Sequence, residues 1–314
     1  MAQHFLLSAA ARTLSLTKNY RAGEEAAYES FCKLRWPETS GQAVCPDCGC
    51  VETYNITTRR KFKCKACHRQ FSVTSGTIFA SRKLSFMDIL AAVFLFVNSA
   101  KGKSAVQMSR ELDVQYKTAW VLCHKLRESM QDEYEGQKVS GEVEIDGAYF
   151  GGHIRPKNRR EDRVDRRRKR YQTGTRRVVV AIRARKGRTL TFVTKTEADG
   201  VDLVARNVMP GSIIYADEAS HWDHLSRGYA MGRINHDEAY SDLCGTHTNN
   251  AESFFSRLRR MVRGQHHWVS HKYLDQYANH AAWLEDHRRC DNETLVVTVM
   301  RNSMKAPVSR TFAG

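Results

Sequence analysis

Three acidic side chains lie in contexts where they could do chemistry together. Asp146 and Asp217 each come at the end of an apolar, strand-like run, and Glu252 lies in a helix-like stretch. Two aspartates on strands and a glutamate on a helix can converge to hold two divalent cations, as in in-line phosphoryl transfer. Carboxylate oxygens suit Mg²⁺, so the pattern predicts a site for Mg²⁺ or Mn²⁺. The alternative is that they are ordinary solvated acids, because the chain contains 34 Asp and Glu.

The overall charge indicates the kind of partner. The 314 residues include 50 Lys and Arg against 34 Asp and Glu, which gives a net charge of +16 and a pI near 9.6. An excess of this size says little about the fold, but it favours a polyanionic partner such as DNA.

The apolar segments and the N-terminus argue against a membrane or secreted protein. The longest apolar stretch, residues 84–97, is interrupted by Asp88 and is too short to span a bilayer, so it predicts a buried helix. The N-terminus lacks the basic and apolar regions of a signal peptide. The odd number of cysteines, nine, also argues against a secreted disulfide framework. We therefore expect a soluble, cytoplasmic protein.

Four of the cysteines form two C-x-x-C pairs, which are typical of a zinc site. Cys45 and Cys48 are separated by 15 residues from Cys64 and Cys67, which is within the spacing of a four-thiolate zinc site. Two such turns can close a tetrahedron around Zn²⁺ with no open position, so the site would be structural. Short strand-like runs between the pairs predict a zinc ribbon. A redox dithiol is the alternative, and Cys50 and His68 are alternative ligands.

A helix-turn-helix is predicted after the ribbon. Residues 105–112 and 116–130 have helical patterns separated by a short turn, and the second helix has buried-type residues at helical spacing. In such a pair the second helix presents its N-terminal residues to DNA. The alternative is a helical pair that only supports the neighbouring domain.

From residue 141 onward the pattern changes to strands. Four strand-like runs cover residues 142–150, 177–185, 190–196 and 212–216, and residues 199–207 are helix-like before Pro210. Three strands, a helix, a strand and then helices predict an α/β sheet of ribonuclease-H-like order. In that order the first and fourth strands are neighbours, which would place Asp146 beside Asp217.

A strongly basic segment interrupts this domain. Residues 155–177 contain twelve Lys or Arg and three acids. A segment of this charge density repels itself without a partner, and its alternative interpretation is a solvated insertion. Beside a metal site we interpret it as an arm that binds DNA phosphates, with salt-dependent affinity.

The motifs together resemble those of the ISXO-like group of DDE-type insertion-sequence transposases. The resemblance runs from about Trp36 to about Arg289. Its most specific pieces are Cys45-Pro46-Asp47-Cys48, Phe71-Ser72-Val73-Thr74-Ser75-Gly76-Thr77-Ile78-Phe79, Tyr116-Lys117-Thr118-Ala119-Trp120, Glu144-Ile145-Asp146-Gly147-Ala148-Tyr149-Phe150-Gly151-Gly152, Tyr215-Ala216-Asp217-Glu218, Asn235-His236 and His247-Thr248-Asn249.

The resemblance implies metal-dependent DNA strand cleavage and strand transfer at the ends of a mobile element. It implies that the partners are the terminal inverted repeats and target DNA, and that the prokaryotic protein acts as a homo-oligomer, a dimer, on DNA. Asp146 and Asp217 take the first two acidic positions. Many relatives have Asn in the third, so Asn249 and Glu252 are both candidates, and Arg259 stands where relatives often have Lys.

The sequence pattern and the resemblance together assign domains and site residues. The expected domains are an N-terminal helical segment (1–40), a zinc ribbon (41–80), a helix-turn-helix region (81–135), a ribonuclease-H-like catalytic domain (140–290) and a C-terminal tail (291–314). The expected catalytic residues are Asp146, Asp217, Glu252, Asn249 and Arg259, with Asp146, Asp217 and Glu252 as Mg²⁺ ligands. The residues expected to contact DNA are Gln115, Tyr116, Lys117, Thr118, Arg166, Arg167, Arg168, Lys169, Arg170, Arg260, Arg263, His266 and His267.

Two other functions are compatible with the sequence pattern. One is a DNA-binding regulator whose α/β domain is catalytically inert, against which the presence of all the acids argues. The other is a ribonuclease-H-like nuclease that cuts DNA and never joins it, which only an assay for joined products separates from a transposase.

Overall fold

A computed structural model describes residues 5–152, 157–165, 174–234, 247–309 and 311–312. The chain forms two compact units. Met1–Glu133 together with His287–Gly314 make the first, and Tyr134–Asp286 make the second.

The first unit contains the zinc ribbon. Strands β1 (Thr53–Ile56), β2 (Lys61–Cys64) and β3 (Gln70–Phe71) form an antiparallel sheet in this order. The ring of Phe62 lies 5.6 Å from that of Trp36 and 5.6 Å from that of Phe71. These buried aromatic rings give the small sheet an apolar core of its own.

The rest of the first unit is helical. Its α-helices are α1 (Leu16–Arg35, interrupted at Gly23), α2 (Phe86–Val97), α3 (Ala105–Glu111), α4 (Tyr116–Asp132) and α8 (Asn292–Lys305). The segment expected to be a C-terminal tail therefore contains a helix, which packs on α1, α2 and α4. Asp291 caps it, because its carboxylate accepts hydrogen bonds from the backbone N–H groups of Glu293 and Thr294.

The apolar stretch that predicted a buried helix is α2. A capping box of Ser85 and Asp88 begins this helix, and most of its side chains are buried. Across the described parts of the chain, every helix is too short or too polar to cross a membrane.

The second unit is built on a five-stranded mixed sheet. Its strands are β4 (Glu142–Phe150), β5 (Arg177–Ala184), β6 (Thr189–Thr194), β7 (Ile213–Asp217) and β8 (Ala230–Ile234), in the order β6-β5-β4-β7-β8. The pairs β4–β5 and β5–β6 are antiparallel, whereas β4–β7 and β7–β8 are parallel. This arrangement confirms the ribonuclease-H-like fold class, and β8 is a strand that the sequence pattern did not predict.

Among the described residues of this unit, the α-helices are α5 (Gly200–Asn207), α6 (Asn249–Arg260), which continues into a π-helical turn (Met261–His266), and α7 (Leu274–Asp286). Phe254 and Leu258 of α6 are fully buried in a core with Ala278 of α7 and with Val179 and Ala181 of β5. This packing fixes α6 against the sheet that carries Asp146.

Candidate active site

The two predicted aspartates meet at the centre of the sheet. Asp146 lies within β4 and Asp217 ends β7, and these strands are parallel neighbours in which Glu144 stands opposite Tyr215. Residues paired between these strands are 71 apart in sequence, and so are Asp146 and Asp217. The two aspartates therefore stand at equivalent positions on the neighbouring strands. The two carboxylates approach each other closely enough to belong to one group whose ligand oxygens all lie within 4.8 Å of one another.

Glu197 is the third member of this group, and no sequence pattern had predicted it. It lies in the loop between β6 and α5, is half-buried, and brings a carboxylate oxygen within 4.8 Å of those of Asp146 and Asp217. Its one sequence signal is an acid just before a predicted helix. Acids are common there because they complement the helix dipole, so this signal could not identify a ligand.

The close spacing of the carboxylates contributes to raised pKa values of Asp146 and Glu197. The pKa of Asp146 is raised to about 7, chiefly by burial and in addition by the charges of Asp217, Glu197 and Glu252, although the Gly147 N–H, which donates to Oδ1 at 2.7 Å, acts to lower it. Burial, followed by the charge of Asp217, raises the pKa of Glu197 to about 7. Like charges held this close favour a proton or a cation between them.

The donor set fits a divalent cation. All three side chains offer carboxylate oxygens, which hard cations prefer. In addition, Oε1 of Glu197 is buried without a hydrogen-bond partner. Buried polar atoms normally have a partner, so a ligand atom facing the cluster is a better physical account of this oxygen than a structural role.

Helix α6 brings the remaining predicted residues toward the cluster. Glu252 lies in its first turn, and its charge contributes to the raised pKa of Asp146. Asn249 is the first residue of the helix and is exposed. Among described residues, the group within 4.8 Å comprises Asp146, Glu197 and Asp217, so the carboxylate of Glu252 lies farther from some of them.

Glu144, two residues before Asp146 on β4, is a second residue whose role no sequence pattern had predicted. It is fully buried, and its carboxylate accepts hydrogen bonds from the backbone N–H groups of Asn250 at 2.8 Å and Ala251 at 3.1 Å. Arg185 Nε donates to the same carboxylate at 2.9 Å. A buried anion at a helix N-terminus is favourable, and here it ties α6 to the strand that carries Asp146.

The predicted basic residues beyond Glu252 differ in exposure. Arg259, Arg260 and Arg263 are exposed, as expected for side chains that could reach phosphates. His266 is half-buried and its ring lies 4.7 Å from the Tyr277 ring, whereas His267 is exposed.

The helix-turn-helix residues lie at the beginning of α4. Gln115, Tyr116 and Lys117 are exposed, Thr118 is partly exposed, and Asp113 takes a left-handed conformation in the turn that precedes them. The side chains predicted to be buried in α4 are buried, namely Ala119, Leu122, Cys123 and Leu126. The exposed face is therefore available to a ligand.

Part of the predicted basic arm lies outside the described residues. The residues of the arm that lie outside are Arg166, Arg167, Arg168, Lys169 and Arg170. Asn235 and His236, which belong to the motif after β8, also lie outside the described residues. Near the arm, the Arg176 guanidinium lies 4.0 Å from the centre of the Tyr149 ring, at the end of the strand that carries Asp146.

The four ribbon cysteines have the geometry of a metal site. Sγ of Cys45 lies 3.6 Å from that of Cys67, and Sγ of Cys48 lies 3.5 Å from that of Cys64. A disulfide would need about 2.0 Å, whereas Zn–S bonds of about 2.3 Å in a tetrahedron place sulfurs about 3.8 Å apart. Backbone N–H groups, chiefly that of Cys67, lower the pKa of Cys64 to about 6, so this thiol readily loses the proton that Zn²⁺ binding displaces.

Comparisons with known proteins match the two regions of the chain that contain these clusters. Residues 138–286 match the family model described as ISXO2-like transposase domain, and residues 22–70 match the transposase zinc-ribbon domain. A protein described as an uncharacterized protein in transposable element ISH50, from Halobacterium salinarum (strain ATCC 700922 / JCM 11081 / NRC-1), is 24% identical over 266 residues, which are 81% of this chain and 88% of the relative. No solved structure matches the chain.

Proposed function

We propose that this chain, which belongs to the ISXO2-like transposases, cleaves DNA at the ends of an insertion sequence and joins the freed ends to target DNA. The observation that carries the proposal is the convergence of Asp146 and Asp217, with further carboxylates around them, at the centre of a ribonuclease-H-like sheet. A protein that only bound DNA would gain nothing from a partly buried cluster of acids, which repels phosphates.

Asp146, Asp217 and Glu252 would hold the catalytic cations, Mg²⁺ or Mn²⁺. When bound, such cations supply an activated water and stabilise charge on the leaving oxygen. The chain's own contribution is to place the carboxylates on rigid strands and on a helix held by Glu144. Asp146 is itself partly buried, and electrostatic interactions are stronger in such surroundings than in bulk water.

The reaction consists of two phosphoryl transfers at the same site. In the first, the water oxygen attacks phosphorus at the element end, the bond to the 3′ oxygen breaks, and that oxygen leaves with a proton as a 3′-OH. In the second, this 3′-OH attacks a target phosphodiester, forms the new P–O bond and releases the target's own 3′-OH. The bonds formed and broken are of the same kind, so the second step needs no external energy source.

We assign different DNA contacts to the two units. Gln115, Tyr116, Lys117 and Thr118 at the start of α4 would read the terminal inverted repeats, together with the zinc ribbon. The basic arm, with Arg260, Arg263, His266 and His267, would hold phosphates near the acids. Arg259 would face the reacting phosphate, seven residues and two helical turns beyond Glu252.

The protein would act in the cytoplasm, on the nucleoid, as a homodimer. A dimer fits the task because two element ends have to be held together, and a two-fold assembly presents the same DNA-reading surface to each.

Incubation of the purified protein with labelled DNA tests the proposal. The substrate carries the inverted repeats that flank the gene, with Mg²⁺ and a circular target plasmid present. We expect nicked ends and joined products. Absence of nicking would favour the inert DNA-binding regulator, and nicking without joined products would favour a nuclease that lacks strand joining.

Exchange of the candidate third ligands should separate their roles. We expect Glu252→Gln to abolish cleavage while DNA binding is retained, because an ionised carboxylate binds Mg²⁺ more strongly than a neutral amide. Asn249→Ala should leave measurable activity, since Asn249 is exposed at the first position of α6. Cleavage that survives in Glu252→Gln and disappears in Asn249→Ala would reverse the assignment.

Neutralisation of the basic arm should weaken binding to all DNA sequences alike. Replacing Arg166, Arg167, Arg168, Lys169 and Arg170 by Gln removes cations that bind phosphates, and such binding carries no sequence information. Fluorescence anisotropy at several salt concentrations should show a flatter dependence of log Kd on log salt, by up to about 0.9 for each phosphate that is no longer neutralised. An unchanged slope would place the arm away from the DNA.

A further inference from the structure

Glu197 is an acidic side chain to which the proposed mechanism gives no role. It belongs to a loop of the second unit and not to the strands or the helix that carry the predicted ligands. Its carboxylate nevertheless lies beside those of Asp146 and Asp217. Oε1 of Glu197 is buried and has no hydrogen-bond partner. Burial of an unpaired carboxylate oxygen is unfavourable in free energy. An acid with a packing role alone would therefore destabilise the fold at this position.

Gly147 provides the space that Glu197 occupies. A Cβ placed on Gly147 would lie 2.6 Å from Cδ and 2.8 Å from Cγ of Glu197, closer than non-bonded carbons approach. Gly147 lies within β4, paired with Val180 in regular register, and its backbone is not in the left-handed region. A glycine is therefore not needed here for the backbone conformation. Its missing side chain leaves the space that the Glu197 side chain fills.

We propose that Glu197 is a direct ligand of the divalent cation held between Asp146 and Asp217, and that Gly147 keeps open the path by which this carboxylate reaches it. The inference rests on the proposed function, because it assumes that the cluster binds a cation. It adds a fourth carboxylate to the site, contributed by the loop between β6 and α5. Asp146 and Asp217 would hold the cations, with Glu197 and Glu252 as additional ligands.

Titration of the full-length, zinc-loaded protein with Mn²⁺ tests this assignment by calorimetry, without DNA and without turnover. We expect Glu197→Gln to raise the Kd for Mn²⁺ at least about tenfold, the loss typical of impaired metal sites. Glu218→Gln is the matched control. It removes the same charge from an exposed acid next to Asp217 that lies outside the cluster, and its Kd should change less than about twofold.

Gly147→Ala tests whether Glu197 acts as a direct ligand or only through its negative charge. This substitution keeps every charge and should displace the end of the flexible Glu197 side chain, so the protein should fold and its Kd for Mn²⁺ should rise. Glu197→Asp, which also keeps the charge but shortens the side chain, should weaken binding too. In the double variant Gly147→Ala/Glu197→Gln, the Kd should not exceed that of Glu197→Gln, because both changes remove one interaction.

The outcomes distinguish failure of this inference from failure of the proposed function. Wild-type Mn²⁺ affinity in Glu197→Gln, combined with its loss in Asp146→Asn, would overturn the role of Glu197 and leave the proposed function intact. Affinity lost in Glu197→Gln but retained in both Gly147→Ala and Glu197→Asp would reduce its role to long-range charge. Wild-type affinity in Asp146→Asn would overturn both proposals.

Discussion

Asp217→Asn should eliminate strand cleavage and stabilise the cation-free protein at the same time. The substitution removes a carboxylate that we propose as a shared ligand of the catalytic cations. A contribution of several kcal/mol from such cations corresponds to a loss of at least about 10³-fold in rate. It also removes a negative charge that raises the pKa of both Asp146 and Glu197. Without added divalent cation, relief of that repulsion should raise the Tm by about 2–4 °C for each kcal/mol gained.

The pH dependence of stability gives a second test of the same repulsion. Asp146 and Glu197 have folded-state pKa values of about 7, above their ordinary values of 3.8 and 4.5. The folded protein therefore binds more protons than the unfolded chain between about pH 4 and pH 7, so stability falls as pH rises through this window. In Asp217→Asn this fall should be smaller.

Cleavage by gel assay, DNA affinity by anisotropy and Tm by calorimetry measure these effects, with Glu218→Gln as the matched control. End-specific DNA binding should be retained, since the first unit is unchanged. Cleavage within tenfold of wild type in Asp217→Asn would show that the reaction does not depend on this cluster. An unaltered pH profile would show that the carboxylates do not repel one another in solution.

Cys64→Ser should unfold the zinc ribbon while the second unit remains folded. Cys64 is fully buried and provides one of four thiolates. In small zinc domains metal binding supplies about 10–16 kcal/mol at neutral pH, so folding and binding are coupled. We expect loss of one equivalent of Zn²⁺, rapid proteolysis of residues from about 45 to 75, and affinity for element ends reduced at least about tenfold.

Cys50→Ser is the matched control for this experiment. Cys50 lies two residues beyond Cys48, and its Sγ contacts the carbonyl of Glu52 at 3.7 Å rather than joining the four-cysteine group. Its zinc content, resistance to protease and DNA affinity should remain those of the wild type. Soluble, active wild-type protein that contains no zinc would refute the structural role of the site.

The sequence by itself determined the features that depend on local pattern. Strand alternation predicted β4 to the residue, C-x-x-C spacing predicted the ribbon ligands, and helical spacing predicted the buried face of α4. The order of strands and helices then predicted that Asp146 and Asp217 are neighbours, because that order leaves few ways to pair the strands. The family resemblance, confirmed by the comparisons, rested on the same motifs.

Only the tertiary structure decided which other side chains surround Asp146. Glu197 is 51 residues from Asp146 in sequence and reaches it because Gly147, the next residue on the same strand, leaves space for its side chain. Glu144 has no sequence feature that separates it from other acids on strands, and its contact with the N-terminus of α6 is visible only in the folded structure. Neither contact is accompanied by a repeating pattern or a characteristic spacing in the sequence. Each depends on how elements that are distant in sequence pack against the sheet. Physical proximity of this kind is a property of the packed fold, and local pattern does not encode it.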